Sequence, residues 1–233
     1  MKAQFDRHAR SYSEEVDASV SFTGKDVDFF AHRKAVDLLE IARRHVGDPA
    51  ELTMLDVGCG TGVTARHLVD HVGQLHGVDL SGDAIATATD AVVGAQFEAY
   101  DGGRLPFEEA AFDLVFAICV FHHVEVLERK AFAAELGRVV RPGGVVVVWE
   151  HNPYNPMTRV AVDRCPFDEG VTLLPRRETE RLLGGAGLTI AERRYATFLP
   201  IDRDWAQRAE RHLGGVPFGA QHYVVARRQL PSG

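Results

Sequence analysis

The chain has 233 residues, of which 45% are hydrophobic and 25% are charged, with 22 Gly, 10 Pro and 3 Cys. This composition is typical of a globular protein and excludes disordered, collagen-like and disulfide-rich classes. Asp and Glu outnumber Lys and Arg by 33 to 26, which argues against a nucleic-acid partner. No apolar run reaches the ~20 residues of a transmembrane helix, and no apolar leader is visible. We therefore expect a cytoplasmic protein without a membrane partner.

Apolar, β-branched runs alternate with helical segments, which predicts an α/β fold with a largely parallel sheet covered by helices. The strands are predicted at about residues 52–57, 74–79, 95–100, 112–117, 145–150, 188–197 and 221–227. The helices between them are predicted at about residues 63–71, 82–92, 124–140 and 175–184. The Arg-Pro-Gly-Gly sequence at 141–144 is interpreted as the turn into the fifth strand, because Pro and Gly stop helices.

Two segments lie outside this alternation and divide the chain. Residues 1–50 have apolar side chains at helical spacing, so we expect an N-terminal helical cap over a core at 51–150. Residues 151–175 are expected to form an irregular insert, and 176–233 to complete the same α/β domain. Both extra segments can cover the carboxyl ends of the strands, where open α/β sheets bind ligands.

A glycine-rich sequence, LDVGCGTG at 55–62, ends the first predicted strand and begins a helix. Its Gly-x-Gly-x-Gly spacing differs from the Gly-x-Gly-x-x-Gly of dinucleotide enzymes, which bind a pyrophosphate. Asp79 ends the next strand and can accept hydrogen bonds from ribose hydroxyls, whereas Ser81 is better placed to cap the following helix. Asp101 follows the third strand, where it can face an amino group or serve as a surface turn acid.

Five segments in order resemble the motifs of class I S-adenosylmethionine-dependent methyltransferases of the small-molecule type: residues 55–62, Asp79, Asp101, 112–115 and 136–144. The resemblance spans about residues 52–150. It implies a Rossmann-like, seven-stranded, mostly parallel sheet with helices on both faces and an antiparallel last strand. It also implies S-adenosyl-L-methionine as cofactor, S-adenosyl-L-homocysteine as product, and a small-molecule acceptor that is methylated on O, N, S or C. Specialised metabolites belong to this class of acceptor.

The same resemblance assigns cofactor-binding residues. It implies that Asp56, Gly58 and Gly60 face the methionine part of the cofactor, that Asp79 holds the ribose, and that Asp101 faces the adenine amine. It implies that Leu80 lies beside the adenine ring and that Ile118 and Cys119 lie near the sulfonium. The remaining candidates are Cys59 and Gly62 in the glycine loop and Tyr12 in the N-terminal segment. Cys59 is interpreted as a small residue facing the cofactor rather than as a nucleophile.

A general base is needed only when the acceptor must lose a proton. The candidates are His122 after the fourth strand and Glu150 and His151 at the end of the fifth, with packing or loop hydrogen bonding as the alternatives. Methyl transfer requires no metal, and we expect none. The His67 and His71 pair at i, i+4 lacks the Glu and the third ligand of a zinc site.

Two other functions remain open at this point. A nucleotide-dependent dehydrogenase would need a pyrophosphate site, which the glycine spacing does not favour. A catalytically silent binding module would keep the glycines and Asp79 without turnover. For the oligomeric state we expect a monomer or a homodimer.

Overall fold

Seven strands form one sheet in the order β3-β2-β1-β4-β5-β7-β6. The computed structural model describes residues 17–198, 210 and 212–230. The strands are β1 Thr53–Val57, β2 Gln74–Asp79, β3 Gln96–Ala99, β4 Phe112–Ile118, β5 Val140–His151, β6 Thr189–Ala196 and β7 Gln221–Arg227. The α-helices of the described part are α1 Val27–His45, α2 Gly82–Ala91, α3 Arg129–Val139, α4 Pro156–Arg164 and α5 Arg176–Gly185.

The direction of the strands confirms the expected sheet. β1 pairs in parallel with β2 and β4, and the parallel pairing continues to β3 and β5. β7 runs antiparallel to both of its neighbours, β5 and β6. From β1 the chain moves outward to β2 and β3 and then returns to β4 on the other side. The carboxyl ends of β1 and β4 therefore border the crevice where α/β sheets bind ligands.

The core lies on both faces of the sheet, and β5 shows how one strand serves both. Val146 and Val148 pack into a cluster with α3 and α5, whereas Val145 and Val147 pack into a cluster with α1. Successive side chains of a strand point to opposite faces, so a continuous Val run is buried on both. Burying each of these side chains stabilises the fold by roughly 1.5–3 kcal/mol.

The helices α1 and α2 begin at side chains that accept hydrogen bonds from their first turns. Asp26 accepts from the Phe29 N–H at the start of α1, at 2.8 Å. Ser81 accepts from the Ala84 N–H at the start of α2, at 3.2 Å, which confirms its predicted role as the cap. No helix in the described residues is long and apolar enough to cross a membrane.

Three predicted elements were wrong. The helix predicted at 63–71 consists of two short 3₁₀ turns, Ala65–His67 and Val69–His71. This segment contains β-branched, Asp and His residues of low helix propensity, so a continuous α-helix is not favoured. The predicted turn at 141–144 lies inside β5, which begins at Val140, and α3 covers only Arg129–Val139 of the predicted 124–140.

The insert at 151–175 is not irregular, because it contains α4 and the 3₁₀ turn Pro166–Asp168. The side chain of Asn155 accepts hydrogen bonds from the N–H groups of Met157 and Thr158, and Pro156 occupies the first turn. Asn followed by Pro is a typical helix start, so an irregular insert was the wrong expectation at this point.

Candidate active site

A cavity of about 1190 Å³ opens at the carboxyl ends of the central strands. The glycine loop and the ends of β2, β4 and β5 form its floor, while α1 and the insert contribute walls. A site for one small ligand typically measures roughly 300–1000 Å³. The cavity therefore has room for two ligands side by side.

Backbone and side-chain hydrogen bonds shape the glycine-loop end of the cavity. The N–H groups of Gly58 and Cys59 donate to the Val78 carbonyl at 2.7 and 3.0 Å, which ties the loop to β2. Asp79 accepts from the Gly60 N–H and from the Ser81 N–H, each at 2.9 Å and each on a different oxygen. A carboxylate has about four acceptor positions, so Asp79 keeps capacity for a ligand's hydroxyl groups.

Two carboxyl groups lie close together at this end. Burial and the nearby charge of Asp79 raise the pKa of Asp56 well above its ordinary value. Burial also raises the pKa of Asp79, against the hydrogen bonds from Ser81 and Gly60 that favour its charged form. Buried carboxylates that repel each other are stabilised by a positive charge. This pair therefore fits a cationic ligand such as a sulfonium and does not fit a pyrophosphate.

Most of the predicted cofactor residues line this cavity: Asp56, Gly58, Cys59, Gly60, Asp79, Leu80, Asp101, Ile118 and Cys119. Gly62 is not among the lining residues. A Cβ at Gly62 would lie 3.0 Å from Val92 Cγ2 and 3.2 Å from Ala88 Cβ, so packing against α2 explains this glycine. Tyr12 lies outside the described residues.

Positions 58 and 60 require glycine for different reasons. A Cβ at Gly58, where φ is +80°, would lie 2.5 Å from Val120 Cγ2. Gly60 has a φ of +53° and nothing within 4 Å of an added Cβ, so its exposed side faces open space. Burial and the charges of Asp56 and Asp79 raise the pKa of the Cys59 thiol, which supports its interpretation as a residue that is not a nucleophile.

The other end of the cavity contains histidines and carboxylates. Glu150 is fully buried; it accepts from the Phe121 N–H at 2.8 Å and from His122 Nδ1 at 2.6 Å. His122 Nε2 lies 3.4 Å from Asp168 Oδ1, and His123 Nε2 lies at the same distance from that oxygen. Both predicted histidines, His122 and His151, line the cavity, whereas Glu150 lies behind His122.

The charges within this cluster depend on one another. Burial lowers the pKa of His122, but Glu150 and Asp168 outweigh that effect and raise it well above the ordinary value. Burial raises the pKa of Glu150, yet His122 lowers it to about 2. Burial and the neighbouring His122 lower the pKa of His151 to about 4. The carboxylates of Glu150 and Asp168 thus lie close to three imidazoles at the carboxyl ends of β4 and β5. These belong to His122, His123 and His151.

Gln221 of β7 orients His151. The Gln221 Oε1 accepts from Trp149 Nε1 at 3.1 Å, and an indole N–H can only donate. The amide nitrogen of Gln221 must therefore face the other way, where it lies 3.5 Å from His151 Nδ1. This assigns a lone pair to His151 Nδ1 and a proton to Nε2. Neither Gln221 nor its effect was predicted from the sequence.

Sequence reasoning also missed Asp168 and Tyr100, which line the cavity. Asp168 lies in the 3₁₀ turn of the insert, 45 residues after His123 along the chain. The Cys-Pro-Phe-Asp sequence at 165–168 contains a Pro that favours a turn, but nothing in it indicates which side chains Asp168 meets. Tyr100 follows β3, one residue before Asp101.

Comparisons with known proteins show which proteins this chain resembles. Residues 55–148 match the family described as "Methyltransferase domain". The chain is 36% identical over 204 residues to the 2-methyl-6-phytyl-1,4-hydroquinone methyltransferase of Synechocystis sp., covering 79% of this chain and 63% of that protein. It is 28% identical over 189 residues to the ubiquinone biosynthesis O-methyltransferase of Mesorhizobium japonicum, covering 72% and 74%.

Among solved structures, an S-adenosylmethionine-dependent methyltransferase from Thermotoga maritima has a TM-score of 0.68 at 17% identity, covering 98% of this chain and all of that one. This similarity concerns the fold. The chain spans less than two thirds of the Synechocystis protein's length. The matches favour methyl transfer over the dehydrogenase and silent-module alternatives.

Proposed function

We propose that the chain is a class I S-adenosylmethionine-dependent methyltransferase, and that it methylates a hydroxyl oxygen of an apolar aromatic small molecule, of the phenol or hydroquinol class. One observation carries the proposal: a polar cluster that contains His122, His151 and Asp168 lies at one end of an otherwise largely apolar cavity. The cofactor end of the same cavity lies at the glycine loop.

The residues at the glycine loop fit S-adenosyl-L-methionine. Asp79 can accept from the ribose hydroxyls while it holds Gly60 and Ser81 in place. Asp56 and Asp79 together favour the cofactor's positive charge. When bound, the cofactor supplies a methyl group on a cationic sulphur that a nucleophile can displace in line, leaving S-adenosyl-L-homocysteine.

The walls on the acceptor side favour an apolar and uncharged molecule. They include these side chains from α1, its preceding segment and the insert: Val20, Val27, Phe30, Met157, Val162 and Phe167. Among the described residues that line the cavity, the basic side chains of Lys34 and Arg104 are outnumbered by Asp and Glu side chains. A phosphorylated or otherwise anionic acceptor would meet an unfavourable field here.

The histidine cluster supports oxygen as the accepting atom. His151, oriented by Gln221, can donate from Nε2 to an acceptor oxygen and fix its direction. Glu150 acts through His122, so we assign it a positioning role. The name of one relative refers to an O-methyltransferase, which agrees with a hydroxyl acceptor, and the name of another refers to a hydroquinone, which agrees with the proposed class of molecule.

Alignment and exclusion of water are the main contributions expected of the chain. Holding the reacting groups in line can supply roughly 7–11 kcal/mol of the barrier. The cap and the insert help here, since residues of both line the cavity above the strand ends. The division of the chain into cap, core and insert, the cytoplasmic location and the monomeric or homodimeric state remain predictions.

The test uses purified protein with S-adenosyl-L-methionine and three acceptors: an alkyl hydroquinone, the same compound with both hydroxyls methylated, and a phosphorylated phenol. We expect S-adenosyl-L-homocysteine and a methyl ether from the first acceptor alone, as identified by mass spectrometry. Equal turnover of the dimethyl ether, or a ring-methylated product that keeps both hydroxyls, would show that oxygen is not the accepting atom.

Variants of two histidines localise the effect. We expect His151→Gln to lower kcat/KM by about 10-fold or more, from the loss of one hydrogen bond to a charge-developing oxygen, at about 1.5–3 kcal/mol. Binding of S-adenosyl-L-homocysteine should not change. His71→Ala serves as the matched control, since His71 is exposed on the second 3₁₀ turn. Full activity of the His151 variant would remove His151 from the proposal.

A further inference from the structure

We propose that His122, His123 and Asp168 form a binding site for one divalent transition-metal ion at the acceptor end of the cavity. No metal was expected from the sequence, because Asp168 joins the two histidines only in the fold. Binding of the ion stands on its own, whereas its role in catalysis, described below, rests on the function proposed above.

The separation of the three ligand atoms carries the proposal. His122 Nε2 and His123 Nε2 each lie 3.4 Å from Asp168 Oδ1, and one ligand atom of each of the three residues lies within 4.8 Å of the other two. A tetrahedral Zn²⁺ with ligands at about 2.0–2.1 Å separates neighbouring ligand atoms by about 3.3–3.4 Å. The two nitrogen–oxygen separations therefore match those around such an ion, and the three ligand atoms are close enough together to surround it.

His122 is already oriented as a metal ligand. Its Nδ1 lies 2.6 Å from Glu150, so the Nδ1 proton is held by a carboxylate and the lone pair is assigned to Nε2. That Nε2 is buried and has no hydrogen-bond partner among the described residues, which is costly for a polar atom unless a ligand reaches it. A carboxylate behind a histidine is the usual outer support of a metal-bound imidazole.

The other two ligands are also held in place. The ring of Phe167 contacts the edge of His123 at 5.3 Å between centroids, and Phe167 directly precedes Asp168. The N–H of Asp168 donates to the Cys165 carbonyl at 3.0 Å within the 3₁₀ turn. The side chains that would bind the ion are therefore supported by neighbours of their own.

The charges and the ligand types indicate which ion fits. Two carboxylates, Glu150 and Asp168, flank the histidines, and one dication would balance their charges. Two imidazoles and one carboxylate suit Zn²⁺, Fe²⁺ and related ions, whereas Mg²⁺ and Ca²⁺ prefer oxygen ligands. The competing arrangement is a protonated His122 between the two carboxylates with no metal, and the experiment below separates the two.

Three protein ligands leave a position open toward the cavity, as catalytic metal sites do. We assign that position to the hydroxyl oxygen of the acceptor. Coordination lowers the pKa of a bound hydroxyl, so the O–H bond breaks, its electron pair stays on the oxygen, and the proton passes to water. The resulting oxygen anion faces the cavity that the glycine loop also lines, and no side-chain base is required for this step.

The test uses untagged, chelator-treated protein and Co²⁺ as the probe, without cofactor or acceptor. Equilibrium dialysis with metal analysis should give one Co²⁺ per chain, and the visible absorption should be that of a four- or five-coordinate ion. Zn²⁺ should compete for the same site and raise the thermal unfolding temperature, since it binds the folded state.

Variants identify the ligands. We expect His123→Ala and Asp168→Asn each to weaken Co²⁺ binding by at least about 100-fold, and Glu150→Gln by about 10–100-fold because it supports His122 from behind. His71→Ala is the control and should bind as the wild type does. If a variant does not fold, as checked by circular dichroism, the conservative His123→Gln replaces the alanine variant.

Absence of bound Co²⁺ in the wild type, or equal binding in the wild type and all three cluster variants, would overturn the metal site. The outcomes separate the two proposals. A bound ion without methyl ether formation would contradict the proposed function alone, and ether formation by metal-free protein would contradict the catalytic role of the ion alone.

Discussion

Substitution of Asp79 tests the cofactor end of the site most directly. Its two oxygens each accept one backbone hydrogen bond, from Gly60 and from Ser81, both at 2.9 Å. Asp79→Asn keeps the shape of the side chain but replaces one oxygen by an amide N–H₂ group. One of the two backbone N–H groups then faces a donor, and fewer acceptor positions remain for the ribose hydroxyls.

The size of the effect follows from these contacts. Hydrogen bonds to a charged group contribute about 1.5–3 kcal/mol, so their loss should weaken S-adenosyl-L-homocysteine binding by about 10–150-fold. Removal of one charge also relieves the repulsion that raises the pKa of Asp56, which offsets part of the loss. We therefore expect a weakening near the lower end, about 10–30-fold.

Isothermal titration calorimetry with S-adenosyl-L-homocysteine measures this change without any acceptor. Asp101→Asn should have a smaller effect, below about 10-fold, because Asp101 is exposed. Asp83→Asn on the exposed side of α2 is the control and should bind as tightly as the wild type. An unchanged affinity in the Asp79 variant, with normal thermal unfolding, would show that the ribose does not lie at this carboxylate.

Two further predictions concern stability. Burial raises the pKa of Asp37 on α1 from 3.8 to about 6, so the folded state binds the carboxyl proton of Asp37 more tightly than the unfolded chain does. The stabilisation that this proton provides is lost as the pH rises through about 6. Asp37→Asn should thus raise the free energy of unfolding by about 1–2 kcal/mol at pH 7.5 and change it little near pH 4, as measured by urea titration; equal effects at both pH values would contradict this. Gly58→Ala should lower the free energy of unfolding by about 2–5 kcal/mol through the contact with Val120, whereas Gly60→Ala should lower it by about 1–2 kcal/mol. The Gly60 variant should instead weaken S-adenosyl-L-homocysteine binding; equal losses of stability in both variants would contradict the difference.

Much of the fold could be predicted because its central strands, β1, β4, β5 and β7, are mostly buried and therefore mostly apolar. The predicted seventh strand coincides with β7, Gln221–Arg227, and the Val run predicted the buried part of β5. The glycine loop and Asp79 were found because their spacing reflects local backbone requirements at a strand end. Such requirements involve neighbours in sequence, which a single sequence displays.

Two of the errors arise from contacts with residues that are distant in the sequence. The segment 63–71 lies after a glycine loop whose geometry is set by hydrogen bonds to Val78 on another strand. The start of β5 at Val140 depends on pairing with Phe112, with a register shift before Leu114. The helix α4 could have been predicted from Asn155 and Pro156, since both belong to a known helix-start pattern.

The candidate catalytic residues were predicted only in part for the same reason. His122 and His151 were expected near the cavity because both follow parallel strands whose carboxyl ends meet. The hydrogen bond from His122 to Glu150 joins two neighbouring strands, and the orientation of His151 comes from Gln221, 70 residues further along the chain. Neither relation follows from spacing.

The acceptor end differs from the cofactor end in how it is assembled. The cofactor end lies on β1 and β2, whose parallel pairing fixes Asp56 and Asp79 relative to each other. His122 and His123 lie in the 3₁₀ turn after β4 and His151 ends β5, but Asp168 comes from the insert.

Arg129 at the start of α3 anchors this insert. Its buried guanidinium donates to the Val124 carbonyl at 3.0 Å and to the Thr172 carbonyl at 2.8 Å. The contact to Thr172 holds the segment that follows Asp168 against the first turn of α3. The cofactor end therefore depends on the sheet and the loops that follow its strands, whereas the acceptor end also depends on how 151–175 packs. A change in the insert can alter which molecule is methylated while the cofactor site stays intact, because the two sites share the sheet but not the insert.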